Sequence, residues 1–67
     1  MITLSINGQP RQFPAPLSIA ELVVALDLAG KRIAVEKNGA IVPRSEHGSI
    51  RVADGDQLEI VVAVGGG

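Results

Sequence analysis

Only one stretch of the chain repeats its apolar residues with the period of a helix, and most of what surrounds it repeats with the period of a strand. In "PLSIAELVVALDL", Ile19, Leu22, Val23 and Leu26 fall at i, i+3, i+4 and i+7, one apolar stripe on a helix of about three turns. Ser18 stands where it can cap the first backbone amides, and Glu21 three residues later completes a capping box. Asp27, Leu28 and Gly30 close the helix, with Gly30 as the expected left-handed terminator. A single amphipathic helix cannot bury its own stripe, so it must lie on an apolar sheet face.

The rest of the chain supplies that face. "MITLSI" alternates, with Ile2, Leu4 and Ile6 on one side and Thr3 and Ser5 on the other. Asn7-Gly8 follows, and both residue types accept the positive φ of a tight hairpin. "RQF" continues as a second strand, and Pro10, lacking a ladder donor, places it at a sheet edge. "RIAVEKNGAIVP" reads as strand, Asn-Gly turn, strand, ended by Pro43. "RSEHGSIRV" is polar and reads as loop, with a short strand at Ile50 to Val52. After the turn signal "ADGD" comes the last strand, "QLEIVVAV", with Leu58, Ile60 and Val62 on one face. The expected class is α+β: a mixed sheet of four or five strands packed on one main helix, with no internal repeat or linker.

Size and charge then narrow the function. The 67 residues make one domain. A chain this short buries only about 60% of its unfolded surface, which leaves little room for a substrate pocket. A net charge of −1 and a single aromatic residue, Phe13, argue against nucleic acid as a partner. No signal-peptide pattern occurs, and no apolar run reaches the ~20 residues that span a bilayer. The chain therefore reads as cytoplasmic, soluble and free of membrane contact. The absence of cysteine suits a reducing compartment and leaves no thiolate metal cage.

Side chains for catalysis are sparse. His47 is the sole histidine, and a solvated loop position explains it more simply than a catalytic base. Asp54, Asp56 and Glu59 do not match the spacing of a calcium loop, and a turn plus one exposed strand residue accounts for them. Ser18 is better used as a helix cap than as a nucleophile. Lys31, Arg32, Lys37, Arg44 and Arg51 are scattered among acids, as on a solvated surface, although a few could meet an acidic partner.

Two features of the last seven residues, "VVAVGGG", stand apart. Val61, Val62, Ala63 and Val64 put apolar groups on both faces of a strand that alternates up to Glu59. Either the strand is central in the sheet, or its outer face is a docking patch for another protein; the glycines that follow favour docking. Gly65, Gly66 and Gly67 do not form a phosphate loop, because no Lys-Ser/Thr pair and no helix follow them. As three extended residues they would reach roughly 10 Å beyond the strand. Lacking Cβ atoms, they could thread a channel too narrow for other residues. The group they would present is the α-carboxylate of Gly67, a poor electrophile until a partner converts it to an acyl-adenylate. The expected division is a folded domain at 1–64 and a flexible glycine tail at 65–67.

The size, the hairpin-helix-hairpin order and the Gly-Gly end after an apolar strand resemble the ubiquitin-like β-grasp carriers. More closely, "VEKNGAIVPRSEH" and "DGDQLEIVVAVGGG" resemble the sulfur carriers of thiamin biosynthesis, over essentially the whole chain. The resemblance implies that this chain is not an enzyme and binds no cofactor itself. An E1-like adenylyltransferase would use ATP and magnesium to adenylate Gly67. A sulfurtransferase system would convert the adenylate to a thiocarboxylate, and thiazole synthase would receive the sulfur. Gly65 and Gly66 would be the threading arm, with Val61, Ala63 and Val64 beside it as partner contacts. Other readings are the small subunit of molybdopterin synthase, another ubiquitin-like sulfur carrier or a conjugation tag. A reading of a different class is a β-grasp binding module whose glycines are inert.

Overall fold

A computed structural model of the chain describes residues 1–63. Strand β1 (Ile2–Ile6) buries Ile2, Leu4 and Ile6 and leaves Thr3 and Ser5 half-buried, as its alternation predicts. It turns at Asn7-Gly8, with φ of 51° and 83°, into β2 (Gln9–Phe13). Positive φ at both central residues suits the twist of the flanking strands, which is why Asn-Gly occupies the turn. Pro10 pairs with Ser5 on β2, an edge strand, where a missing N–H costs least.

The helix α1 (Ile19–Ala25) carries the predicted capping box: Glu21 N–H donates to Ser18 Oγ at 3.0 Å, and Ser18 N–H donates to Glu21 Oε1 at 2.8 Å. It is shorter than the stripe suggests, about two turns instead of three. The reason is Asp27, which takes the left-handed conformation at φ 61°. Its N–H donates to the Val24 carbonyl at 3.0 Å, and Leu28 N–H reaches back to Val23 at 2.9 Å, which is a Schellman closure. Asp27 thus ends the helix, and Gly30 (φ 82°) serves the next turn instead. Leu26 remains part of the apolar stripe and packs against the core from the C-cap.

A two-residue strand β3 (Leu17–Ser18), not expected from the sequence, precedes the helix and pairs with β6 (Arg51–Val52). Strands β4 (Ile33–Lys37) and β5 (Ala40–Val42) form the second hairpin, around Asn38-Gly39 with φ of 51° and 86°. The polar stretch after Pro43 contains one 3-10 turn, Arg44–Glu46. It delivers the His47 carbonyl to Ala20 N–H at 2.8 Å, while Ile50 C=O takes Ile19 N–H at 2.9 Å. These bonds satisfy amides at the helix start that would otherwise be orphaned.

The last strand, β7 (Gln57–Val62), lies at the centre of a five-stranded mixed sheet ordered β2-β1-β7-β4-β5. It runs parallel to β1 and antiparallel to β4. Leu4, Leu58, Ile60 and Val35 from the sheet meet Ile19, Leu22 and Val23 from the helix, and Val52 closes one end. Among the described residues no helix is long and apolar enough to cross a membrane.

Candidate functional site

Among the described residues, the chemistry-bearing candidates are taken up in structural roles. Asp54 Oδ1 accepts from Thr3 N–H at 2.7 Å, and Asp56 Oδ2 from Ala53 N–H at 2.8 Å. Burial pushes the Asp56 carboxyl up, but the Ala53 amide, the Asn38 amide and Lys37 outweigh it and hold the pKa below the usual value. Lys37 also donates to the Arg51 carbonyl at 2.8 Å. Ser18 is buried within its capping box, and its amide is the main reason the Glu21 carboxyl titrates lower than usual. His47 is half-buried, its Nε2 lying 3.3 Å from the Val42 carbonyl oxygen. No group of three or more His, Cys, Asp or Glu among the described residues could hold a metal ion.

What the structure does build is an exposed surface at the end of β7. The two readings of "VVAV" turn out to be compatible: β7 is central, yet only its inner face is covered. Leu58 and Ile60 point into the core, whereas Glu59, Val61 and Ala63 are exposed, Val61 by 61%. Val62 continues the inner phase but is already 39% exposed, at the margin of the core. Ala63 N–H donates to the Arg32 carbonyl at 2.8 Å, which ties the chain to the sheet one residue past the strand. Val64, Gly65, Gly66 and Gly67, named above as arm and carrier, lie outside the described residues.

Register places three further residues beside Val61 that sequence reasoning did not select. Ala34 is its direct partner on β4, Glu36 faces Glu59, and Ile41 on β5 faces Glu36. Ile41 is 76% exposed. A signal existed for Ile41, since "AIV" is apolar on both faces just as "VVAV" is. Nothing local reveals that the two anomalies meet.

Asn7 holds this end of β7 from the other side. Its side chain accepts from Ile60 N–H at 2.7 Å and donates to Ile60 C=O at 3.0 Å, extending the β1–β7 ladder beyond the turn. The strand that leads toward the glycines is therefore fixed on both flanks.

The sequence profile of the ThiS family matches residues 4–67. The crystal structure of the thiamine biosynthesis protein (ThiS) from Geobacter metallireducens superposes with a TM-score of 0.85 at 33% identity, covering 98% of this chain and 100% of that one. Its solution structure gives a TM-score of 0.81, covering 98% of this chain and 88% of that one. The chain is also 44% identical over 64 residues to a thiazole synthase of Paramagnetospirillum magneticum, covering 96% of this chain but 20% of that protein. It is 39% identical over 66 residues to the uncharacterized protein ycf40 of Porphyra purpurea, covering 98% of this chain and 93% of that one. The chain thus spans about a fifth of the length of the thiazole synthases it matches. The five-stranded mixed sheet on one helix is the ubiquitin-like β-grasp fold, and the chain belongs to the ThiS family.

Proposed function

We propose that the protein is a sulfur carrier of thiamin biosynthesis, a protein cosubstrate and not itself an enzyme. The observation that carries this reading is the family match over residues 4–67, a span that includes the terminal glycines. The fold supports it by holding β7 between β1 and β4, with β4 paired to it as far as Val62. In this reading an E1-like adenylyltransferase, using ATP and magnesium, adenylates the carboxylate of Gly67. The carboxylate is a poor electrophile, and adenylation supplies a good leaving group. The persulfide of a sulfurtransferase system then attacks the Gly67 carbonyl and expels AMP, and a thiol reductant cleaves the acyl disulfide so formed, leaving the thiocarboxylate that thiazole synthase consumes. Gly65 and Gly66 thread the partner's channel, and Val61, Ala63 and Val64 contact its rim. The chain itself binds no cofactor and works in the cytoplasm, where its partners are.

The choice of acceptor is supported by the relatives named thiazole synthase. Each contains a segment similar to nearly all of this chain, as expected if carrier and synthase act together. Synthase activity would reside in the portion of those proteins that this chain does not match.

The test is adenylation by the E1-like enzyme in the presence of ATP and magnesium, followed as pyrophosphate release. Deletion of Gly66 and Gly67 should abolish it while leaving the thermal midpoint unchanged. Equal adenylation of the truncated protein would refute the carrier role. Thiamin auxotrophy after loss of the gene is expected; molybdopterin deficiency instead would move the protein to the other acceptor.

A further inference from the structure

We infer that Asn38-Gly39 is a site of spontaneous deamidation, where loss of ammonia from the Asn38 carboxamide unlatches the β4–β5 turn from the start of β7. The same dipeptide at Asn7-Gly8 is held back by its bonds, and the comparison of the two turns carries the inference.

Both asparagines of the chain precede glycine. In that order the glycine backbone nitrogen, as its proton leaves, can attack the asparagine Cγ. The new N–Cγ bond closes a succinimide ring, and the Cγ–Nδ2 bond breaks to release ammonia. Water then opens the ring at either carbonyl, giving aspartate or isoaspartate. Glycine favours the attack because no Cβ shields its nitrogen. A Cβ built at Gly8 or at Gly39 would meet nothing within 4 Å, so neither turn is crowded. Conformation does not separate them either: φ is 51° at both asparagines, and 83° and 86° at the glycines.

Their side-chain partners do. To react, a carboxamide must leave its hydrogen bonds and swing toward the glycine nitrogen. Asn7 would abandon the Ile60 N–H at 2.7 Å and the Ile60 C=O at 3.0 Å, on a residue only 6% exposed in the central strand. Buried backbone groups left without partners oppose that opening by about tenfold or more. Asn38 would abandon the Gln57 N–H at 2.9 Å and Asp56 Oδ1 at 3.1 Å, both at the surface, where water replaces it. Asp56 still keeps the Ala53 N–H at 2.8 Å and Lys37 at 3.8 Å. The Asn38 latch therefore opens more readily.

Deamidation then prevents it from closing. Only the NH2 group of Asn38 can face the Asp56 carboxylate, so the orientation of the carboxamide is fixed by chemistry. After the reaction a carboxylate stands where that donor was, and an attractive bond becomes a contact between like charges. The Asn38 bond is among the causes that hold the Asp56 carboxyl below its usual pKa, and its loss acts in the opposite direction. Isoaspartate in addition lengthens the backbone of a turn whose positive φ values match the twist of its strands.

The test follows the full chain by peptide mapping at mildly alkaline pH, once folded and once in concentrated guanidinium chloride. Each site is scored by the rate of its change from NH2 to OH, relative to its own rate in the denatured chain, which cancels the influence of neighbouring side chains. Folding should protect Asn7 at least about tenfold more than Asn38. Asn38→Asp, standing for the product, should lower the thermal midpoint by about 4–8 °C, as loss of one charge-assisted bond implies for a domain of this size. Adding Asp56→Asn should recover most of that fall, because donor and acceptor exchange places across the same contact. A fall caused by turn conformation alone would persist in the double variant. Equal protection of the two asparagines, or faster conversion of Asn7 in the folded protein, would overturn the assignment of the site. An unchanged midpoint in Asn38→Asp, or no recovery with Asp56→Asn, would overturn the latch.

Discussion

The two faces of β7 obey different rules. On the inner face Leu58 and Ile60 alternate cleanly, are almost fully buried and face helix side chains chosen by the same rule. On the outer face Glu59 and Val61 meet Glu36 and Ala34, and like charges directly opposite one another do not favour a sheet. The inner face is explained by the protein alone. The outer face is not explained by the fold, and the contrast separates what this chain needs to fold from what, in the proposed function, it would need to be recognised.

The contrast can be broken first from the inside. Leu58→Ala should cost about 2–5 kcal/mol, because it removes a buried side chain and leaves a cavity, and urea unfolding would read the loss. A smaller loss is expected at the turn that flanks β7. Asn7→Ala removes the two side-chain bonds to Ile60 and should cost about 1–3 kcal/mol. Hydrogen exchange should then rise first at Ile60 and its neighbours, leaving the helix protected.

Acidification should have a milder effect. The folded pKa values of Asp56 and Glu21 lie below their ordinary 3.8 and 4.5, so the unfolded chain takes up protons first as pH falls. Their contribution is complete above those ordinary values and is lost as pH drops through them toward the lower folded ones. Asp56→Asn should flatten the decline in thermal midpoint below about pH 4. Smallest of all is the outer face: Val61→Thr keeps the β-branched shape and should change stability by less than about 0.5 kcal/mol. If it destabilises as much as Leu58→Ala, the outer face is part of the fold and the contrast fails.

Much of the inner face was legible in the sequence because its signals are local. Ile2, Leu4 and Ile6, the Asn-Gly turns and the Ser18–Glu21 capping box each act within a few residues. The helix end was misplaced because Asp27 and Gly30 can both adopt left-handed φ, and only the bond from Leu28 to Val23 decides between them. Strand β6 was expected at Ile50 to Val52, but its partner β3 escaped notice since a two-residue strand has no period to detect. The outer face was legible only as an anomaly at "VVAV". Its partners arise from pairing β4 with β7, and Asn7 reaches Ile60 across 53 residues, so neither is written in any short segment.

The account's central claim is that chemistry occurs at Gly67 while the folded part acts as a handle. Intact-mass analysis of the protein isolated from cells, with fragmentation of its C-terminal end, tests this most directly. The account predicts a fraction of molecules heavier by the difference between one sulfur and one oxygen atom, with the added mass confined to Gly67. A protein carrying no such fraction under thiamin limitation, or carrying the sulfur elsewhere in the chain, would contradict it.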